Sequence, residues 1–163
     1  MDQQAVYREA MGRFATGVGV IATGWGERLH AMTANAIASV SLEPLRLLVC
    51  IANGSHCLAA IERENGFCVN ILREDQAALS VYFSGYWKNP GMPPFRFSLW
   101  RGYSRLNGAL VSIGCRTAEI LSGGDHQIVL GDVTALHLGP AGDPLLYAQS
   151  RYYHLGPLLE TRL

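Results

Sequence analysis

Two segments far apart in the chain carry the residues best suited to chemistry. The first, residues 30–44, reads HAMTANAIASVSLEP and mixes alanines with hydroxyl and amide side chains. The second, residues 123–126, reads GGDH. Because small side chains let a ligand lie close to the backbone, the first segment predicts a strand with a flat binding surface. A planar and anionic ligand would suit that surface.

Four polar residues of the first segment are candidate ligand contacts: Thr33, Asn35, Ser39 and Ser41. Their side chains could form hydrogen bonds with the phosphate, the hydroxyls or the ring of a cofactor. An ordinary strand followed by a turn at Glu43-Pro44 is the alternative, because such hydroxyls also bond to nearby backbone. Met32, between them and the preceding turn, is expected in the core.

Ser55 lies where a predicted strand ends and a predicted helix begins. A helix N-terminus presents unpaired backbone N–H groups and a partial positive charge, so it can bind a phosphate without a basic patch. His56 could add a further donor. The alternative is that Ser55 only caps the helix, for which serine is a favoured residue.

His126 follows the Gly-Gly-Asp turn and begins a predicted strand. It should therefore lie at the rim of the fold, where a side chain can point at a ligand, while Asp125 makes the turn. A structural or solvated histidine is the alternative. Tyr152 and Tyr153, near the C-terminus, are expected in the core or at a subunit contact.

No nucleophile and base with recognisable spacing stand out in the chain, and neither does a metal-binding motif. If the protein is an enzyme, a cofactor should therefore supply the reactivity. Residues 17–22 loosely match a dinucleotide-binding glycine pattern, but they follow a predicted helix and run into a strand. That motif needs the reverse order, so we reject it.

Composition narrows the class of protein. The 163 residues carry 13 basic and 13 acidic side chains, which predicts no nucleic-acid or anionic-membrane partner. The length favours a single domain over 1–163. There is no targeting pattern, and the four cysteines lack Cys-x-x-Cys spacing, so we expect a cytoplasmic protein with reduced thiols and no metal site.

Hydrophobic periodicity predicts mostly strands. A first helix should begin after Asp2 and end at Gly17, with short helices after Ser55 and Asp75 and a lid-like loop over 84–94. The expected strands are 18–23, 30–35, 45–52, 66–72, 109–121, 126–138 and 145–147. This order favours an antiparallel barrel with peripheral short helices.

Taken in order, these segments resemble the flavin reductase-like family, which comprises FMN-binding split barrels that serve two-component flavin-dependent monooxygenases. The resemblance spans nearly the whole chain. It rests on residues 10–18, 32–35, 39–44, 70–72, 106–110, 124–126, 144–147 and 151–152.

The resemblance implies a mainly β fold, an antiparallel split β-barrel of the Greek-key, FMN-binding type. It also implies a homodimer with flavin sites at the subunit interface. FMN or FAD would lie along residues 32–41 and the strand at 49–51, with its phosphate near Ser55 and His56. The implied cofactor-binding residues are Met32, Thr33, Ala34, Asn35, Ser39, Val40, Ser41, Cys50, Ile51, Ser55, His56 and Tyr152.

By the same resemblance, His126 and Tyr152 would line the side where nicotinamide stacks on the flavin, and His126 would position the nicotinamide. The activity would be an NAD(P)H-dependent flavin reductase that supplies reduced flavin by diffusion to a partner monooxygenase. Hydride transfer requires the two rings to stack at about 3 to 3.5 Å. The alternatives are a non-catalytic flavin-binding barrel, a flavin oxidase acting on another substrate, and a barrel that binds some other apolar ligand.

The chain departs from the family pattern at the phosphate end. Many relatives have a second proline and an apolar residue where this chain has Leu45-Arg46, and a serine where it has Ala36. Many also have Ser-x-Thr with a basic middle residue where this chain has residues 55–57, Ser-His-Cys. These differences imply a phosphate site with fewer hydroxyls and less charge.

Overall fold

A computed structural model describes residues 2–158 of the chain. Its helices are α1 Gln3–Gly12, α2 His56–Glu64 and α3 Ala77–Phe83, with short 3-10 turns at Gly26–Arg28 and Glu74–Gln76. Its strands are β1 Thr16–Gly17, β2 Gly19–Thr23, β3 His30–Ala34, β4 Ile37–Leu42, β5 Leu45–Ala52, β6 Gly66–Ile71, β7 Phe97–Trp100, β8 Tyr103–Leu106, β9 Val111–Ser122, β10 His126–Leu138, β11 Leu146–Ala148 and β12 Arg151–Tyr153.

The main sheet has seven strands in the order β3-β2-β6-β9-β10-β5-β4, and every neighbouring pair is antiparallel. Its two edge strands, β3 and β4, follow one another in the chain and are joined only by Asn35 and Ala36. Because two residues span so short a distance, the sheet curls until its edges meet. This is the antiparallel split barrel that the sequence predicts.

The core has two parts because β2 is buried along its whole length. Ile21 belongs to the barrel interior, where it packs with Val49, Phe67 and residues of α2. Val20 belongs to a second cluster outside the barrel, under α3 and the β7–β8 hairpin. The nearly continuous apolar run over 18–23 is therefore a strand with both faces covered.

Asn70 on β6 ties the β7–β8 hairpin to the barrel and is fully buried. Its amide nitrogen donates to the carbonyl oxygens of Val20 (3.2 Å) and Ser104 (3.4 Å). Its amide oxygen accepts from the backbone N–H of Leu106 (2.9 Å) and the hydroxyl of Ser112 (2.8 Å). The side chain therefore satisfies polar groups on the two neighbouring strands β2 and β9 and on the hairpin at once.

Both predicted caps of α1 and α2 are confirmed. Asp2 accepts a hydrogen bond from the N–H of Gln4, and Ser55 accepts one from the N–H of Cys57. The predicted end of the first helix at Gly17 is wrong, because α1 ends at Gly12. Thr16 and Gly17 instead form a short strand that pairs with β11, so long-range pairing replaces the helix there.

Four strands were absent from the sequence prediction: β1, β7, β8 and β12. Segment 30–44, which was predicted to contain a single strand, forms two, β3 and β4. The predicted capping role of Asp75 is also wrong, because α3 begins after Gln76 and the Asp75 carboxylate instead pairs with Arg73 at 2.6 Å.

Residues 84–96 form no helix or strand, which agrees with the predicted loop. Among the described residues, no helix is long and apolar enough to span a membrane.

Candidate functional site

Side chains of β5 alternate between the two faces of the barrel wall. Leu47, Val49 and Ile51 are buried in the interior, whereas Cys50 is half-buried and Ala52 is exposed on the outer face. This alternation is the ordinary period of a strand. It places a ligand-accessible row on the outside of the barrel.

The neighbouring strand β4 and the link before it add more small residues to this outer row of β5. Ala38 on β4 lies opposite Leu48, and the carbonyl of Ala36 accepts a hydrogen bond from the N–H of Cys50. We call Ala36, Ala38, Cys50 and Ala52 the outer bed. Its side chains are short, so a flat ring could lie against the backbone beneath them.

The outer bed opens into a cavity of about 620 Å³, which we call the bed cavity. A separate cavity of about 720 Å³ lies elsewhere in the molecule. The bed cavity has the size of a typical small-molecule site. Met11 and Phe14 form one apolar wall, and Asn35 donates a hydrogen bond to the Thr16 hydroxyl at 3.2 Å on another. Among residues 2–158, no charged side chain lines this cavity.

Ser55 and Met32 lie together at the N-terminus of α2. The Ser55 hydroxyl lies 3.7 Å from the Met32 sulfur and accepts from the N–H of Cys57 at 3.2 Å. Ser55 therefore caps α2. The exposed His56 and the N-terminus of α2 could also bind a phosphate. Met32 packs against the barrel core, as the sequence predicts.

The Gly-Gly-Asp-His turn is held against the end of β5. His126 lies opposite Ala52, the last residue of the outer bed, and the backbone and side chain of Asn53 bond to the carbonyls of Asp125 and Gly124, both at 2.9 Å. Two segments that are distant in the sequence therefore meet beside Ser55. The rim position predicted for His126 follows from this register.

The His126 ring is oriented by its neighbour in the turn. Its Nδ1 lies 2.8 Å from a carboxylate oxygen of Asp125. This hydrogen bond, with the charge of the ring, lowers the pKa of Asp125 below its ordinary value. Because an ionised carboxylate only accepts, Nδ1 carries the proton of this bond, and Nε2 takes no part in it.

A second cavity of about 310 Å³ adjoins the first through Asn35. Thr33 donates to the backbone oxygen of Ser80 at 2.6 Å, and the Ser80 hydroxyl lies 2.8 Å from the hydroxyl of Tyr152. Ala34 also lines this cavity, and no charged side chain of the described part of the chain does. The structure therefore brings Thr33, Asn35 and Tyr152 together, although His126 lines neither cavity.

The remaining predicted contacts lie apart from this centre. Ser39 and Ser41 line a smaller groove of about 170 Å³ farther along β4, and Val40 is exposed at the irregularity between them. Ile51 is fully buried in the barrel interior. Its side chain cannot touch a ligand on the outer bed, so only its backbone could contribute.

Several site residues were missed by sequence reasoning. Thr16 and Gly17 line the bed cavity, Ser80 lines the second cavity, and Ala52 belongs to the outer bed. Strand alternation from Cys50 could have identified Ala52, because both must point the same way. Ser80 offers no such signal, since its position depends on how α3 packs against β3.

A flavin fits this site. The outer bed can take a flat ring, the polar pair of Asn35 and Thr16 lies beside it, and the N-terminus of α2 can take a phosphate without a cationic side chain. Together with the curled antiparallel sheet, these features define a flavin-binding split barrel.

Comparison with known proteins gives the family. The family model for the flavin reductase like domain matches residues 11–156. The chain therefore belongs to the flavin reductase-like family. The family, the split-barrel fold and the oxidoreductase class implied by the sequence are all confirmed.

Individual relatives agree over nearly their full length. The chain is 39% identical to the reductase component of 4-hydroxyphenylacetate 3-monooxygenase from Thermus thermophilus, covering 91% of this chain and 95% of that protein. It is 36% identical to the NADH-dependent FMN reductase AsuE2 of Streptomyces nodosus subsp. asukaensis, covering 90% and 82%. The structure of flavin reductase PheA2 superposes with a TM-score of 0.89 at 37% identity, covering 96% of this chain and all of that one.

Proposed function

We propose that this protein is a cytoplasmic, NADH-dependent flavin reductase that binds FMN or FAD on the outer bed and releases the reduced flavin to a partner monooxygenase. The observation that carries this proposal is the row of small side chains that ends at His126. A bound flavin would supply the hydride acceptor. The protein's own contribution is to position two rings and exclude water between them.

Each part of the site has a separate task. The outer bed receives the flat ring, and the N-terminus of α2 with Ser55 and His56 receives the phosphate. His126, oriented by Asp125, holds the nicotinamide end. In the part of the chain that the structure describes, neither adjoining cavity is lined by an arginine or lysine, which the 2′-phosphate of NADPH would require, so NADH is the favoured co-substrate.

Steady-state oxidation of NADH with FMN, FAD or no added flavin tests this function. We expect flavin-dependent turnover, with NADH preferred over NADPH. Flavin binding without turnover would instead indicate a non-catalytic flavin carrier. Failure to bind any flavin would remove the proposal altogether.

Replacement of His126 by alanine should raise the KM for NADH about tenfold and change the Kd for FMN by less than about twofold. The reason is that His126 lies at the far end of the bed from Asn35, where the proposal puts the co-substrate. The matched variant His56→Ala should do the opposite and weaken FMN binding while sparing the NADH KM. An unchanged NADH KM in His126→Ala would refute the positioning role.

Cys50 should be the one thiol of the four that reacts readily with iodoacetamide in the native protein, and bound FMN should protect it. Burial raises the pKa of Cys57, Cys68 and Cys115 to about 12, so these thiols remain protonated at neutral pH. Cys50 is half-buried on the outer bed. Peptide mass analysis with and without FMN measures the protection, and equal labelling in both would place the flavin elsewhere.

We also propose a homodimer in which the partner subunit completes the flavin site. Exposed leucines at positions 42, 45 and 136 line the groove that shares Ala38 with the outer bed, and Leu42 is 79% exposed. Such a continuous apolar surface is typical of an interface. A second copy seated there would border the bed.

Light scattering should give about twice the chain mass of 17.8 kDa. The double variant Leu42→Lys with Leu136→Lys should be monomeric, because it places charge in the apolar contact. Leu99→Lys is the matched control, since Leu99 is also exposed but lies on the β7–β8 hairpin. A monomeric parent protein would contradict this proposal.

A further inference from the structure

The largest of the cavities described above lies away from the flavin site. It has a volume of about 720 Å³ and is bounded by the end of β2, the start of β6, the β7–β8 turn, and the middle parts of β9 and β10. It shares no lining residue with either cavity at the outer bed. From His126 to Thr134, which lines this cavity, β10 runs roughly 25 Å.

Three guanidinium groups and one carboxylate line this cavity: Arg28, Arg101, Arg116 and Glu64. We call it the arginine pocket. Arginine is the side chain best suited to phosphate, because its planar fork can donate two hydrogen bonds in parallel. No charged residue within 2–158 lines the two cavities at the outer bed, so the arginine pocket and the flavin site differ in the ligand that they can accept.

The carboxylates near the pocket leave its positive charge only partly neutralised. Glu64 lies 3.4 Å from Arg28. Arg116 pairs with Asp132 at 2.8 Å, but that carboxylate is shared with Arg46, also at 2.8 Å. The side chain of Arg101 makes no hydrogen bond or ion pair with any residue of 2–158. At least one full positive charge therefore remains for a ligand.

Arg101 is held over the pocket by the turn that joins β7 to β8. Arg101 and Gly102 have φ angles of 50° and 85°, and Trp100 pairs directly with Tyr103. Two such residues make the tight hairpin turn in which asparagine and glycine are usual. An arginine occupies this position although its side chain gains nothing from the turn itself.

An aromatic surface lies beside the guanidinium groups. The ring of Tyr103 lies so close to Gly114 that a methyl group there would overlap it, and its hydroxyl is 2.6 Å from that of Thr134. These contacts fix the ring. Trp25 lines the same pocket and is 41% exposed. Rigid aromatic side chains can stack a heterocyclic base.

We propose that the arginine pocket binds an organic phosphate of mononucleotide size, with its phosphate on Arg101 and Arg116 and its ring against Tyr103 or Trp25. The volume, the surplus of arginine and the fixed aromatic ring each point to this class of ligand. The site is independent of the flavin site in position and in charge.

Isothermal titration calorimetry with AMP tests the proposal on the full-length protein. One AMP should bind per chain, and its Kd should be the same with and without saturating riboflavin, which carries the flavin ring but no phosphate. Arg101→Gln and Arg116→Gln should each weaken AMP binding about tenfold. Arg96→Gln is the matched control, because Arg96 is also exposed and lies just before β7 but does not line the pocket.

Adenosine and inorganic phosphate test separately how the ring and the phosphate of AMP contribute to binding. Adenosine should bind far more weakly than AMP, because it lacks the phosphate, and inorganic phosphate should also bind more weakly, because it lacks the ring. Equal affinity for phosphate and AMP would overturn the stacking role. No AMP binding, displacement of AMP by riboflavin, or unchanged binding in Arg101→Gln would each overturn the site.

Discussion

Replacing Ala36 with phenylalanine is expected to abolish flavin reduction in a protein that still folds. Ala36 is exposed in the two-residue link between β3 and β4, and it lines the cavity over the outer bed. A phenylalanine ring there would occupy the flat surface proposed for the flavin. We expect at least about a 100-fold loss of FMN affinity, which corresponds to about 2.7 kcal/mol.

Fluorescence quenching of FMN measures the affinity, and NADH oxidation measures the activity. Ala59→Phe is the matched control, because Ala59 is also exposed but lies on α2 away from the described cavities. It should bind FMN normally. If Ala36→Phe binds FMN as the parent protein does, the flavin does not lie on the outer bed. An unfolded Ala36→Phe protein is recognised by its circular dichroism, and Ala36→Leu then provides a milder obstruction.

Replacing Asn70 with leucine should lower the free energy of unfolding by about 4 kcal/mol, the largest stability effect that we expect from one substitution outside the apolar core. Leucine has a similar size, so the loss comes from polar groups left without partners. They are the N–H of Leu106, the hydroxyl of Ser112 and the carbonyl oxygens of Val20 and Ser104. Each buried and unpaired group costs about 1–3 kcal/mol.

Urea denaturation gives the free energy, and amide exchange locates the change. Exchange should increase most in β8, which Asn70 bonds through Leu106 and Ser104. Asn89→Leu is the control, since Asn89 is exposed in the loop over 84–96 and should change stability by less than about 0.5 kcal/mol. A loss below about 1 kcal/mol in Asn70→Leu would show that the hairpin is held by apolar packing instead.

Local signals in the sequence predict the barrel wall well. The apolar run at 45–52 and the alternating run at 126–138 become β5 and β10, because strand period and burial agree in both. Serine at 55 and aspartate at 2 cap helices as their types predict. In these segments, the information needed lies within a few neighbouring residues.

Other elements depend on contacts that are remote in the chain. The turn between β7 and β8 has Arg101 where asparagine would have signalled a hairpin, so neither strand was predicted. β12 exists because it pairs with β11, which in turn pairs with Thr16 and Gly17. The same distant pairing ends α1 early.

In the candidate site too, some features follow from local sequence and others from contacts that are remote in the chain. The small-residue segment at 30–44 and the turn before His126 were recognisable in the sequence, because small residues and a tight turn are local features. The contact of Tyr152 with Ser80, and the burial of Ile51, follow from the assembled structure. Consecutive residues of a strand point to opposite faces, so a shift of one position decides whether a side chain faces the outer bed or the core. The residue types around Cys50 and Ile51 did not indicate which of the two points outward.

That register gives β5 two independent sets of positions. Substitutions at 48, 50 and 52 alter the outer surface, whereas those at 47, 49 and 51 alter the packed interior. During evolution the chain could therefore adapt its outer surface to a different flavin or co-substrate without weakening the barrel. Divergent members of the family should vary most at the even-numbered positions of this strand, and an insertion of one residue would exchange the two sets and damage both properties together.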